Sequence, residues 1–131
     1  MKKTAILSLL ITLALNVGIR TNAQSLKRIN FAKGKSSATV KGNTGQYGAL
    51  YVVRARAGQK LVLTLSPTTK IGIKVESSGT YGEAVLLREE RGGMFVVGLE
   101  ETGDYTIFIG STEGKPIAFT LTVKIEQMTD I

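Results

Sequence analysis

The stretch that decides the fold lies near the end of the chain and reads Ile117-Ala118-Phe119-Thr120-Leu121-Thr122-Val123-Lys124-Ile125-Glu126. Apolar side chains alternate with polar or small ones along all ten residues. Because successive side chains of a β-strand point to opposite faces of the sheet, this period of two predicts a long strand with one face in water. The other face, which carries Phe119, Leu121, Val123 and Ile125, is predicted to line the core.

The same alternation recurs in several shorter runs earlier in the chain. The inward residues that it assigns include Tyr51, Val53, Ala55, Leu61, Leu63, Leu65, Ile71, Ile73, Val75, Phe95 and Val97. Glycines fall between the runs, as tight turns between strands require. The pattern therefore predicts an all-β fold, an antiparallel β-sandwich of about eight strands with jelly-roll or immunoglobulin-like connections. A closed barrel is the main alternative.

The outward positions hold more apolar residues than a solvated sheet face needs. These residues are Leu50, Val52, Val62, Met94, Val96 and Phe108. Contiguous apolar surface of this kind marks a contact site when it stays exposed. We therefore expect part of the set to be covered, either by a loop of the same chain or by a protein partner.

Residues 1–23 have the composition of a secretory signal peptide. Two lysines precede an apolar run over residues 5–19, and the small residue Ala23 closes the segment. The run is short for a membrane-spanning helix and is interrupted by polar residues. We predict cleavage after Ala23, which leaves residues 24–131 as a single exported β-sandwich domain without stable membrane insertion. An uncleaved membrane anchor is the alternative.

Composition narrows the chemistry that the chain can perform. The 131 residues include no Cys and no His, which excludes an imidazole base, a thiolate nucleophile, a disulfide and a Cys/His zinc site. Adjacent acids such as Glu89-Glu90 and Glu100-Glu101 point to opposite faces of a strand, so neither pair is itself a catalytic couple. No calcium-loop spacing is present. We predict a protein that is not an enzyme and uses no cofactor or metal.

Charge and export together limit the class of partner. The predicted mature chain has fourteen basic and ten acidic residues, so its net charge is +4 compared with +7 for the full sequence. A modest and interleaved excess of this kind is typical of a solvated surface, and it argues against nucleic acid as a partner. Export without disulfides favours a bacterial periplasmic or secreted protein.

Four motifs resemble a known family. They are GKSSATVKG at residues 34–42, YVVRARAGQ at 51–59, TGDYTI at 102–107 and FTLTV at 119–123. In this order they resemble the bacterial periplasmic inhibitors of g-type lysozyme, within the wider group of pre-peptidase C-terminal β-sandwich domains. The resemblance covers residues 29–125. It implies a binding protein that inhibits g-type lysozyme by occluding the active-site cleft of that enzyme.

The resemblance also implies a contact loop. Related lysozyme inhibitors present a Ser-Gly-x-x-Tyr loop to the enzyme, and this chain has Ser78-Gly79-Thr80-Tyr81, with the tyrosine one position earlier. Ser78, Gly79 and Tyr81 are therefore the implied partner-binding residues. Small hydroxyl groups suit a cleft built for sugars, and Tyr81 would act as a partly buried anchor. A plain turn is the alternative interpretation of this loop.

A second class of function stays open beside lysozyme inhibition. An envelope module that binds polysaccharide or another protein needs the same export and no catalytic residue. Because the chain has no Trp, its aromatic platforms for sugar would be Tyr47, Tyr81 or Phe108. The sequence does not set an oligomeric state.

Overall fold

Two β-sheets pack face to face in the computed structural model, which describes residues 26–77, 84–88 and 91–128. Within these residues the chain forms nine strands: β1 (Leu26–Arg28), β2 (Ser37–Asn43), β3 (Ala49–Ala55), β4 (Gln59–Thr69), β5 (Ile71–Ser77), β6 (Ala84–Arg88), β7 (Arg91–Gly98), β8 (Gly103–Ser111) and β9 (Ala118–Gln127). One sheet has the order β1-β3-β8-β5-β6, and the other has the order β2-β9-β4-β7. The predicted β-sandwich is confirmed, and two separate sheets show that the barrel alternative is wrong.

The strand order is that of a jelly roll. Antiparallel pairing joins β2 to β9, β3 to β8, β4 to β7 and β5 to β6. These nested pairs are what a long antiparallel ribbon produces when it is rolled into two sheets. Of the two predicted types of connection, jelly-roll and immunoglobulin-like, the structure has the jelly-roll type. The N-terminal β1 is an addition to this plan, because it pairs with β3 in parallel, with Leu26 opposite Leu50.

The core lies between the two sheets and follows the period of two in the sequence. Phe119, Leu121 and Val123 are buried as predicted, and Ile125 packs against the core while staying half-buried. Leu63 pairs with Val123 across the β4–β9 ladder, which places both side chains on the inner face. The other fully buried large residues of this core are Val53, Leu61, Leu65, Ile71, Ile73, Val75, Tyr105, Ile107 and Ile109.

The outward apolar set divides into three groups. Val52 is only 7% exposed, whereas Met94 and Val96 are 68% and 55% exposed. Leu50, Val62 and Phe108 are half-buried. The expectation that part of the set is covered is confirmed for Val52. Met94 and Val96 stay open to solvent on β7, the edge strand of the four-stranded sheet.

The described residues were searched for a helix that could span a membrane. In the described segments no helix has the length and apolar character needed to cross a membrane. Residues 1–23 and the predicted cleavage position after Ala23 lie outside the described residues.

Candidate functional site

The implied partner loop belongs to the hairpin between β5 and β6. Ser78, Gly79 and Tyr81 lie outside the described residues, so their contacts are not part of the observed geometry. The residues on either side are placed: Ser77 ends β5 and Ala84 begins β6. Register therefore fixes the place on the sandwich from which the loop departs.

That place is shared with two other connections. Ser77 and Val53 both lie opposite Tyr105 of β8, on its two sides, so they are two strand spacings apart, about 10 Å. The β3–β4 turn at residues 56–58 and the connection at residues 99–102 leave the sheets at this same end. We call it the hairpin end of the sandwich.

Hydrogen bonds hold the two described connections at the hairpin end together. The Ala57 amide donates to the Thr102 hydroxyl at 2.9 Å, and the Gly58 amide donates to the Leu99 carbonyl at 2.9 Å. Gly58 has a φ of 86°, the left-handed conformation that was expected for a glycine in this turn. These hydrogen bonds therefore fix the β3–β4 turn against the connection at residues 99–102.

Tyr105 anchors the same connection from inside the core. Its side chain is 2% exposed, and its hydroxyl donates to the Glu101 carbonyl at 2.5 Å. Burial raises the pKa of the Tyr105 phenol, so the neutral donor is favoured. Tyr105 is therefore a core aromatic whose hydroxyl has a hydrogen-bond partner. Glu100 and Glu101 are exposed.

An ion cluster covers the outer face of the five-stranded sheet near the hairpin end. Arg28 donates to both Asp104 carboxylate oxygens, at 3.2 and 2.9 Å. Arg54 lies further off, with its Nη1 atom 3.9 Å from Asp104 Oδ1. The hydrogen bond from Arg28 lowers the pKa of Asp104, and the same contact raises the pKa of Arg28. The pair therefore stays ionised over the whole neutral range.

This cluster explains the burial of Val52. Arg28 lies opposite Val52 on β1, and its guanidinium must cross β3 to reach Asp104 on β8. The aliphatic stem of an arginine covers apolar surface while its head stays in water. Sequence reasoning missed the cluster because Arg28 and Asp104 are 76 positions apart in the chain, so no local pattern signals their pairing.

The aromatic residues lie in different places. Tyr51, which was predicted to face inward, belongs to the core, where its ring meets Phe119 edge to face at 6.1 Å. Tyr47 is 67% exposed and lies in the β2–β3 connection, at the end opposite the hairpin end. Phe108 is half-buried on the outer face of the five-stranded sheet. Tyr81 lies outside the described residues.

Phe108 forms one wall of a shallow outer groove. A side chain at Gly48 would overlap its ring, and a Cβ at Gly110 would come within 2.9 Å of it, so these glycines let the ring lie close to the backbone. Leu50 and the Lys74–Glu76 ion pair line the rest of a groove of about 280 Å³. We call it the Phe108 groove.

Metal-ligating side chains do not cluster among the described residues. No group of three or more Asp and Glu side chains comes together in the part of the chain that the structure describes. Four described acids, Glu76, Asp104, Glu113 and Glu126, make ion pairs with lysine or arginine instead. Glu126 lies 2.9 Å from Lys124 and 3.3 Å from Lys60. Hydrogen bonds from Lys124 and then Lys60 lower the pKa of Glu126.

The strand order and the loops at the hairpin end place the chain in one class of fold, a jelly-roll sandwich with its loops at the ends of two short sheets. Several solved structures share this fold. The periplasmic g-type lysozyme inhibitor PliG of Aeromonas hydrophila superposes with a TM-score of 0.67 and 23% identity, over 79% of this chain and 100% of that chain. PliG of Salmonella Typhimurium gives 0.62 and 21%, over the same shares of the two chains.

A more distant structural neighbour comes from the group of pre-peptidase C-terminal domains, which the sequence motifs also resemble. The pre-peptidase C-terminal domain of a Bacillus anthracis collagenase has a TM-score of 0.54 and 10% identity, over 80% of this chain and 98% of that domain. The sequence itself matches no protein-family model and no curated protein. The sequence motifs resemble g-type lysozyme inhibitors and pre-peptidase C-terminal domains, and solved structures of both kinds are confirmed as structural neighbours of this chain. Because the sequence identities are 23% or lower, this similarity establishes the fold alone.

Proposed function

We propose that this chain is an exported, non-enzymatic protein that inhibits a g-type lysozyme. The observation that supports this function is the superposition on the PliG inhibitors, which spans their full length. The four sequence motifs resemble the same inhibitors independently of the superposition. A periplasmic or secreted bacterial location follows from the same proposal and from the predicted signal peptide at residues 1–23.

The proposed mode of inhibition is occlusion of the active-site cleft by the loop that contains Ser78, Gly79 and Tyr81. The strand from which this loop departs is firmly held, because Ser77 pairs with the buried Tyr105 in the middle of the sheet. A loop on a fixed base loses less conformational freedom when it binds than a loop on a mobile one. Tyr81 supplies the aromatic anchor that interface centres favour.

The first experiment measures inhibition directly. Purified protein comprising residues 24–131 is added to a g-type lysozyme that is lysing a cell-wall suspension. We expect lysis to slow at near-stoichiometric amounts, because occlusion removes one enzyme molecule for each inhibitor bound. Undiminished lysis at a large excess of the protein contradicts the proposed function.

The second experiment locates the contact. Tyr81→Ala is expected to weaken inhibition by about 2 kcal/mol or more and to leave the melting temperature almost unchanged, because an interface anchor contributes to binding and not to folding. Tyr47→Ala is the matched control, since Tyr47 is 67% exposed at the opposite end of the sandwich.

Two outcomes contradict the loop assignment while the function stands. If Tyr81→Ala inhibits as well as the unchanged protein, the contact surface lies elsewhere. If the substitution lowers the melting temperature without a separate loss of binding, Tyr81 is a core residue and the loop is a plain turn.

The Phe108 groove supports a second candidate function, an envelope module that binds polysaccharide. A half-buried aromatic ring beside the Lys74–Glu76 pair offers a stacking surface with polar groups at its edge. Retention of the protein on insoluble cell-wall polysaccharide, lost in Phe108→Ala, would favour this function. Retention together with absent lysozyme inhibition would replace the first proposal.

A further inference from the structure

A second concavity lies at the hairpin end, beside the end of β3. It is open to solvent, has a volume of about 540 Å³ and is bordered by the β3–β4 turn, by the segment between β1 and β2, and by the end of β9. We call it the basic cleft. We propose that the basic cleft binds a small ligand in which an oxyanion, carboxylate or phosphate, is attached to a ring-sized apolar body.

Charge is the first argument for this ligand. Lys35, Arg54 and Arg56 line the basic cleft, and no acidic residue does. Within the described residues, neither Lys35 nor Arg56 has a carboxylate oxygen inside 4.0 Å, although six other ion pairs meet that limit. Among the described residues, cations from two separate segments therefore converge on one concavity with no carboxylate within ion-pair distance of Lys35 or Arg56, and this arrangement attracts an anion.

The third cation, Arg54, is only loosely engaged elsewhere. Its guanidinium lies 3.9 Å from Asp104, whereas Arg28 holds both oxygens of that carboxylate at 3.2 and 2.9 Å. The Arg54 side chain is also 68% exposed, so it can turn toward a ligand without leaving Asp104 unpaired. Two arginines on alternate positions of one chain segment provide the planar donor forks that bind carboxylate and phosphate.

The floor of the basic cleft is apolar, which points to more than a bare ion. Phe31 and Ile125 are half-buried and pack against the core, and Ala55 is 3% exposed. A volume of about 540 Å³ lies in the range typical of sites for small organic molecules. A ligand with a ring can cover this floor while its anionic group reaches the cations at the rim.

Backbone hydrogen bonds fix the walls before any ligand binds. The Arg56 amide donates to Gln59 Oε1 at 2.8 Å, and the Ile125 amide donates to the Ser36 carbonyl at 2.9 Å. The second bond ties the segment before β2 to β9, which forms the opposite wall. A site whose walls are already in place loses little conformational freedom on binding.

The test uses residues 24–131 and four probes: phenyl phosphate, benzoate, inorganic phosphate and uncharged benzyl alcohol. Binding is followed by amide chemical-shift changes in NMR titrations. We expect phenyl phosphate and benzoate each to bind at least about fivefold tighter than inorganic phosphate or benzyl alcohol, because only these two probes can contact both the cations and the apolar floor. The shifts should be centred on Ser36, Gln59 and Gln127. Whichever of the two anions binds tighter shows whether the anionic group is a phosphate or a carboxylate.

Matched charge variants separate a built site from general attraction. Arg56→Gln removes an exposed cation of the cleft, and Lys41→Gln removes an exposed cation on β2, outside the cleft lining. We expect Arg56→Gln to weaken phenyl phosphate at least about tenfold and Lys41→Gln to weaken it less than about twofold. Equal losses in the two variants, or equal affinity for benzyl alcohol and the anions, overturns the proposal.

Discussion

At the scale of single residues, Asp104 joins three strands of the five-stranded sheet. Its carboxylate accepts both hydrogen bonds of Arg28 on β1 and lies within ion-pair distance of Arg54 on β3. Because β1 has only three residues and pairs with a single neighbour, this contact adds a side-chain link to the ladder that holds β1 against β3. The pair is exposed, so its contribution depends on the charge state of Asp104.

The depressed pKa of Asp104 gives a stability prediction with a definite sign. A carboxylate whose folded pKa is lowered contributes stability that is fully present above its unfolded pKa, near 3.8, and is lost as pH falls through the folded value. Asp104→Asn should therefore lower the urea midpoint at neutral pH, and the difference from the unchanged protein should shrink below pH 3.8.

The control for this prediction is another exposed carboxylate. Glu100→Gln removes the same charge from a residue for which the described structure shows no ion pair. We expect its urea midpoint to follow that of the unchanged protein at every pH. A deficit of Asp104→Asn that is as large in acid as at neutral pH would mean that the contact stabilises the sheet through packing and not through charge.

At the scale of elements, β9 is the strand on which the four-stranded sheet is built. It lies between β2 and β4, and from Ala118 to Lys124 its buried residues alternate with half-buried or exposed ones. Leu121 is fully buried, whereas its neighbour Thr122 is half-buried, with its hydroxyl 3.0 Å from that of Thr39. Two adjacent residues thus sample the two faces of one strand.

Substitutions at this pair should differ sharply in cost. Leu121→Ala is expected to lower the free energy of unfolding by about 2 to 5 kcal/mol, because it removes buried methyl groups and leaves a cavity between the sheets. Thr122→Ala should cost less than about 1 kcal/mol, since it removes one solvent-accessible hydroxyl contact. Denaturant unfolding of both variants measures the difference, and equal costs would contradict the assignment of faces.

The strands differ in how far their sequence predicts them, and the cause is physical. Period two assigns β9 correctly because one of its faces meets the core and the other meets water. On β3 the same rule correctly places Val52 outside the core, but it does not show that the Arg28 side chain from β1 passes over this face and leaves Val52 only 7% exposed. The alternation of apolar and polar residues assigns side chains to the two faces of a strand. It does not show which of them are covered by side chains from a neighbouring strand.

Pairing between distant strands is also beyond the local pattern. The jelly roll sets Ser37 opposite Lys124 and Ala49 opposite Ile109, and nothing within either strand encodes the partner of the other. The same limit applies to sites. The basic cleft combines Lys35 with Arg54 and Arg56, which the sequence shows only as scattered charges. The glycine turn at Gly58, by contrast, was predictable because its cause is local.

At the scale of the whole molecule, the predicted cleavage position bears on β1. Leu26 of β1 pairs with Leu50 and lies two positions after the predicted mature terminus at Gln24. Cleavage after Ala23 would therefore leave every described strand complete and keep Arg28 in reach of Asp104. Cleavage several residues later would remove β1 and expose Val52.

We therefore expect the exported protein to begin at Gln24, which mass spectrometry of periplasmic or secreted material checks. Signal peptidase reads small residues at the last and third-last positions of the leader, so Ala23→Arg should block processing and keep the full chain at the membrane. Asn22→Gln is the matched control, because the position between the two that are read tolerates change. An intact Met1 terminus in the membrane fraction of cells that make the unchanged protein would show that residues 1–23 are an anchor, and the proposed inhibitor would then act from the membrane surface.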